Sequence, residues 1–224
     1  MGLEITAQIP DLAADQARAQ KLVPVSRETL ARLEIFVGLL LQRQQVMNLI
    51  AASTIPQVWT RHVADSLQLL RLAPEAKIWV DLGAGGGFPG LVLACALKER
   101  AGTKIHLVES TAKKCVFLKD VIDALELPAA VHCERVENFA ARFSERADIV
   151  AARALAPLGK LLSLAYPLLK KGAKGLLFKG QDVGAELTEA TKSWKMRYTL
   201  IPSLTDERGR IVVVESLESR MKGR

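Results

Sequence analysis

Apolar residues recur at helical spacing through the first third of the chain and then change period. Leu30, Leu33, Val37, Leu40 and Leu41 form one stripe over residues 27–46, with Ser26 as its N-cap and Glu28 in its first turn. Val58, Val63, Leu67 and Leu70 predict a second helix over 56–72, and the Ala-rich stretch 11–21 predicts a short one that stops before Pro24. From Lys77 onward, short apolar runs alternate with helical segments. Strands are expected at 77–82, 104–109, 130–134, 147–152 and 174–179, and helices at 88–100, 111–125, 156–171 and near 182–195. Two β-like runs, 196–202 and 210–218, flank a turn at Asp206–Gly209 and close the chain as a hairpin. This alternation predicts an α/β fold with a doubly wound sheet, parallel except for one edge strand. Residues 1–75 are expected to form a helical cap packed on an α/β core at 76–224, since no linker composition separates them.

The boundary between the first strand and the next helix carries the strongest chemical signal. Asp81-Leu82-Gly83-Ala84-Gly85-Gly86-Gly87-Phe88-Pro89-Gly90 places five glycines in eight residues after a buried strand. A plain turn needs one or two; a string suits a backbone that approaches a ligand closely. The dinucleotide fingerprint fails because Phe88 stands where its third glycine belongs. A phosphate loop fails because no lysine occurs between Lys77 and Lys98. An acidic corner without lysine suits a cationic adenosine ligand, and S-adenosylmethionine carries both an ammonium and a sulfonium.

The ends of the other strands extend this corner. Glu109 closes the second strand, 26 residues after Gly83, where a carboxylate can accept both ribose hydroxyls. Its alternative role is as an ordinary helix cap before Ser110 and Thr111. Val136, after the third strand, is placed to pack on an adenine, with Glu137 or nearby main chain at the base edge. The fourth strand ends in Ala152-Arg153-Ala154, not the Pro-Pro-aromatic signature of enzymes that methylate exocyclic amines. No cysteine follows Cys133, which disfavours covalent attack on a pyrimidine carbon.

Composition narrows the class. Half of the residues are apolar and a quarter charged, as in a globular domain with a full core. No run approaches a membrane span, and the amino terminus lacks the layout of a signal peptide. Gly2 and Thr6 match the short pattern for N-myristoylation. Cys95, Cys115 and Cys133 are read as reduced thiols of a cytoplasmic protein, with no metal-type spacing. The charge of +7 is uneven: residues 153–224 hold 14 Lys and Arg against 7 Asp and Glu, whereas residues 1–152 balance. A basic region confined to one part of a fold suggests a polyanionic partner.

Taken together, these residues resemble the RsmG (GidB) family of bacterial methyltransferases. The likeness runs from about Asn48 through Arg61-His62-x-x-Asp65-Ser66-Leu67, the loop ending Phe88-Pro89-Gly90, Glu109-Ser110 and Lys113-Lys114. It continues through Phe117-Leu118, Arg135-Val136-Glu137, Arg153-Ala154 and Lys179-Gly180. Ala84 and Ile50 depart from residues frequent in the family without removing a required donor. The resemblance implies a class I S-adenosylmethionine-dependent methyltransferase fold, with a seven-stranded, mostly parallel, Rossmann-like sheet. It implies transfer of a methyl group to N7 of guanine 527 (16S numbering) in 16S ribosomal RNA, free or within the 30S subunit. It also implies cofactor contacts at Gly83, Phe88, Val136, Glu137 and Arg153, to which the corner itself adds Gly85 and Glu109.

N7 carries an in-plane lone pair and no proton, so direct transfer needs no general base. Arg153 is the candidate catalytic residue, positioning either the guanine edge or the cofactor carboxylate. RNA contacts are expected at His62, Lys113, Lys114, Lys179, Arg208 and Arg210. His62 and Asp65 are read as a substrate-side pair or a buried structural contact, no metal is expected, and a monomer is expected. Two other readings stand beside this one: a methyltransferase of a small molecule, and a non-catalytic RNA-binding protein with a relic pocket.

Overall fold

A computed structural model describes residues 12–220. Residues 1–11, which hold the Gly2/Thr6 pattern and the start of the first expected helix, and residues 221–224 lie outside the described residues. Helices α1 (Ala13–Leu22) and α2 (Arg27–Gln44) follow the predicted stripes. Ser26 Oγ accepts the Thr29 N–H at 3.2 Å, the expected cap.

The helix predicted over 56–72 is broken into pieces. A 3₁₀ segment (Ala52–Gln57) leads into a π-helical turn (Trp59–Ala64) and the short helices α3 (Asp65–Leu67) and α4 (Leu69–Leu72). Pro56, inside the 3₁₀ segment, has no N–H to continue a regular ladder. Asp15 of α1 accepts the backbone N–H of Trp59 at 2.8 Å and of Thr60 at 3.2 Å, so the segment is capped from another helix. Ser66 Oγ donates to the His62 carbonyl at 2.6 Å, diverting a helical acceptor. Wide turns of this kind concentrate at functional sites, and this one carries Arg61 and His62.

The core is a seven-stranded sheet in the order β3-β2-β1-β4-β5-β7-β6. The strands are β1 (Ile78–Leu82), β2 (Lys104–Glu109), β3 (Ala129–Cys133), β4 (Ile149–Ala152), β5 (Lys174–Lys179), β6 (Trp194–Pro202) and β7 (Arg210–Ser219). β1 to β5 are parallel, and β7 is antiparallel to both β5 and β6. The antiparallel strand is therefore internal, not at the edge as predicted. The connection after β5 carries the chain one place beyond it, and the turn at 203–209 returns β7 into the gap. Ile211-Val212-Val213-Val214, buried on both faces, is a central-strand sequence.

Alternation along β1 divides the core. Trp79 joins Ile105, Leu107 and Leu176 beneath α2, α5 (Gly90–Leu97) and α6 (Ala112–Leu125). Val80 and Leu82 join Val108, Val150 and Leu177 beneath α7 (Val136–Arg142), α8 (Leu158–Leu169) and α9 (Val183–Ser193). Helix α7 replaces the loop expected after the third strand; at seven residues it is too short to show a periodic stripe. Parallel strands all end at one edge, where doubly wound sheets bind ligands.

Candidate active site

The loop between β1 and α5 is shaped by its glycines. Gly83 and Gly87 take φ of +75° and +94°, where a side chain is strained. A Cβ on Gly90 would stand 2.1 Å from Leu107 Cδ2 and 2.7 Å from Asp81 Oδ2, so no larger residue fits there. Asp81 Oδ2 accepts the Gly90 N–H at 2.8 Å, tying the strand end to the start of α5. Its other oxygen is buried without a partner among the described residues. Burial pushes the Asp81 carboxyl up to about 7, against the Gly90 hydrogen bond that pulls it down.

Glu109 locks the loop from the adjacent strand. Its Oε2 accepts the Gly85 N–H at 3.1 Å and its Oε1 the Thr111 N–H at 2.7 Å. One carboxylate thus ties the glycine loop to the residue that opens the next helix. The segment at 49–51 closes the loop from outside. Gln44 holds it by accepting the N–H groups of Leu49 and Ile50 at 2.9 and 3.0 Å.

Two adjoining cavities open at this corner. One, of about 400 Å³, is lined by Leu49–Ala51, Thr54, His62, Gly83–Gly86, Phe88, Glu109, Lys114 and Arg153–Leu155. The other, of about 200 Å³, is lined by Gly83, Glu109, Ser110, Glu134–Glu137, Leu155 and residues of α8. Gly83, Glu109 and Leu155 are common to both. The Leu155 side chain lies over Gly83, so close that a Cβ there would sit 2.6 Å from its Cδ1. Ala154 adopts φ of +52°, a conformation costly for a residue with a Cβ. All seven positions expected to touch the cofactor therefore line one or other of two adjoining cavities.

Arg153 forms the far wall. Its guanidinium donates to His62 Nδ1 at 2.7 Å and to the Arg61 carbonyl at 2.6 Å, and its Nε stands 3.4 Å from Asp65 Oδ2. His62 Nε2 lies 2.8 Å from Thr54 Oγ1, and its ring stacks on Phe88 with centroids 4.9 Å apart. With Nδ1 accepting from an arginine, Nε2 carries the ring proton. Burial, then the charges of Arg153 and Arg61, push the His62 pKa down to about 3. Asp65 Oδ1 accepts from Gln68 at 2.6 Å, Thr205 at 2.8 Å and Ser203 at 3.0 Å. His62 and Asp65 are thus not a direct pair; Arg153 stands between them.

A third cavity, of about 290 Å³, lies beyond Arg153, between the π turn and the β6–β7 turn. Arg153 and Ala154 line it together with Arg61, Phe178, Lys179, Asp206 and Arg210.

Two of the expected RNA contacts point inward. Lys179, 8% exposed, donates to the Ala156 carbonyl and pairs with Glu186 at 2.6 Å, so it anchors the 153–157 loop. His62 is buried with both nitrogens engaged. Lys113 is exposed, Lys114 lines the first cavity, and Arg210 lines the third. Arg208 is 71% exposed, with its Nε 3.7 Å from Asp206 Oδ1. Thr54, Leu155 and Asp206 were not singled out from the sequence. The Arg61-His62-x-x-Asp65 block carried a signal for its neighbourhood, whereas Asp206 showed only as a turn residue. Among the described residues no helix is long and apolar enough to cross a membrane, and no three His, Cys, Asp or Glu groups could hold a metal ion.

Comparison with known proteins bears on this architecture. An O-methyltransferase from Bacillus cereus, solved in complex with SAH, superposes with a TM-score of 0.58 at 13% identity, covering 91% of this chain and 97% of that one. A putative O-methyltransferase from Klebsiella pneumoniae gives 0.61 at 12% identity, with 91% and 96% covered. These establish the fold as that of class I S-adenosylmethionine methyltransferases. Sequence similarity is far closer to proteins called ribosomal RNA small subunit methyltransferase G. The protein from Bradyrhizobium sp. (strain ORS 278) is 55% identical over 210 residues, 94% of this chain and 95% of that one. That of Rhodopseudomonas palustris (strain BisB18) is 56% identical over 209 residues, 93% and 89% of the two chains. The family model described as rRNA small subunit methyltransferase G matches residues 29–211, and this chain belongs to that family.

Proposed function

We propose that this chain transfers a methyl group from S-adenosylmethionine to N7 of a guanine in 16S ribosomal RNA, guanine 527 in that molecule's numbering. The observation that carries the proposal is the state of the wall around Arg153. The one imidazole there has no free lone pair, since His62 Nδ1 accepts from Arg153, and Asp65 is held at Oδ1 by Gln68, Ser203 and Thr205 and faces Arg153 across 3.4 Å at Oδ2. A site whose imidazole cannot take a proton suits an acceptor nitrogen with no proton to lose. The relatives' shared name supplies the substrate class, and the basic last third of the chain agrees with a polyanion.

The two-chambered corner suits that donor. Its glycine loop has no cation to repel a sulfonium. Glu109 lines both chambers and, after its two backbone bonds, keeps a lone pair on each oxygen for a ribose diol. Val136 and Glu137 line the second chamber, where an adenine would be held. When bound, the donor supplies a methyl group already activated by the sulfonium. The chain's part is to orient: Asp65, His62 and the Arg61 carbonyl fix the guanidinium of Arg153 in the wall between the donor chambers and the third cavity. Holding acceptor and methyl in line can contribute about 7–11 kcal/mol.

Labelled-methyl transfer onto 30S particles and naked rRNA from a strain lacking this protein tests the proposal. Label at a single guanine, mapped by cleavage at 7-methylguanine, is expected. Label only on small metabolites, or binding of RNA with no transfer, contradicts it.

A further inference from the structure

The third cavity is not needed to hold the donor, yet it shares Arg153 and Ala154 with the donor chamber. Its lining combines the three elements that a nucleotide requires. Phe178 supplies an aromatic surface at the end of β5, with the Arg153 guanidinium 6.0 Å from its ring centre. Arg61 and Arg210 supply cations to its lining. Asp206 supplies an acceptor, paired with Arg61 and held at its other oxygen by the Arg208 N–H at 3.0 Å. These bonds use one lone pair on each oxygen and leave one on each, and the side chain is 24% exposed. The Arg208 N–H, and after it the Arg61 pair, keep its carboxyl below the usual range, hence ionised.

We infer that the cavity between the π turn and the β6–β7 turn is the acceptor subsite, where an unstacked guanine nucleotide lies on Phe178 and Asp206 accepts from its N1–H and N2 amino group. The inference rests on the function proposed above. A guanine turned with N7 toward Arg153 and the donor chamber presents its Watson–Crick edge on the opposite side, where the hairpin turn carries Asp206. That edge offers two adjacent donors, which a carboxylate accepts with both oxygens. Adenine offers an acceptor at N1 and no amino group at C2, so an ionised carboxylate rejects it. Methylation at N7 leaves the base cationic, and Asp65 and Asp206 are anions in the same wall. Bases in RNA are read this way once extruded and stacked on aromatic side chains.

The test is equilibrium dialysis of labelled GMP, AMP and inosine 5′-monophosphate against the full chain saturated with S-adenosylhomocysteine, with methyl transfer to 30S particles followed in parallel. GMP is expected to bind at least about 10-fold more tightly than AMP, in the range of a good bidentate base contact. Inosine monophosphate, which lacks the N2 amino group, should fall between them. Asp206→Asn should bring the GMP:AMP ratio to within about 3-fold and leave S-adenosylhomocysteine affinity unchanged. Phe178→Leu should weaken all three nucleotides by a similar factor and preserve their order. Equal affinity of the wild type for GMP and AMP, no binding of either, or an unaltered ratio in Asp206→Asn overturns the subsite. If RNA is nonetheless methylated by the wild type, the functional proposal survives that failure; if neither donor binding nor transfer occurs, the functional proposal is what has failed.

Discussion

The two walls of the central cavity are built by different means. On the glycine side, the polar contacts come from backbone N–H groups, and two carboxylates, Asp81 and Glu109, hold them from adjacent parallel strands. On the Arg153 side, the contacts run between side chains far apart in sequence. Residues 54, 62, 65, 153, 203 and 205 meet in one half-buried network. The first arrangement tolerates change outside the loop, because main chain supplies the donors. The second stands or falls as a unit, since each member saturates another. A rigid backbone cradle thus faces a wall whose charges cancel one another, which leaves little free charge at the point where a methyl group would pass.

The sharpest way to break this contrast is to remove Asp65. Asp65→Ala leaves the Arg153 charge buried without its counter-ion. A loss of about 3–5 kcal/mol in urea denaturation is expected, the usual cost of halving a buried pair. Arg153→Lys keeps the charge but loses the fork that reaches Nδ1 of His62 and the Arg61 carbonyl together. Methyl transfer should fall by about 100-fold, as for loss of a positioning contact, while S-adenosylhomocysteine binding changes less. Equal losses in both would place Arg153 with the cofactor alone.

Protonation distinguishes the walls in opposite directions. His62 in the folded chain sits near 3, below its ordinary value of 6.5, so the unfolded chain binds the extra proton between those values. Its contribution to stability is complete above 6.5 and is lost as pH falls toward 3. Asp81 sits near 7, above its ordinary 3.8, so the folded chain holds the extra proton in that window. Its contribution is complete below 3.8 and is lost as pH rises through 7. NMR should therefore show the His62 ring neutral with the proton on Nε2 at pH 5. An imidazolium there contradicts the network. His62→Gln should remove the acid-side loss while the decline of stability between pH 4 and 7 persists.

How much of this was legible in the sequence follows the same division. The glycine loop, Glu109 and the strand ends could be read because strand periodicity and chain-local spacing place them. The π turn could not, because its cap, Asp15, lies 44 residues earlier and approaches only when α1 packs on it. The internal position of β7 was implicit in its unbroken Ile-Val-Val-Val run, since an edge strand seldom carries so many residues buried on both faces. Lys179 shows the limit of reading charge alone: a lysine in a basic region serves an internal Glu186 and a carbonyl.

The smallest expected effects lie outside both walls. Lys113→Ala and Arg208→Gln remove exposed cations. Each should reduce the slope of log affinity for 16S rRNA against log salt by up to about 1. Thermal unfolding should not move.

The account depends most on Glu109, which holds the glycine loop and lines both adjoining cavities. Calorimetric titration of S-adenosylmethionine into the wild type and Glu109→Ala tests it directly. One-site binding to the wild type is predicted, with the variant weaker by about 10- to 100-fold, as expected for a lost hydrogen bond to a charged group. No binding to the wild type, or equal affinity in the two proteins, contradicts it.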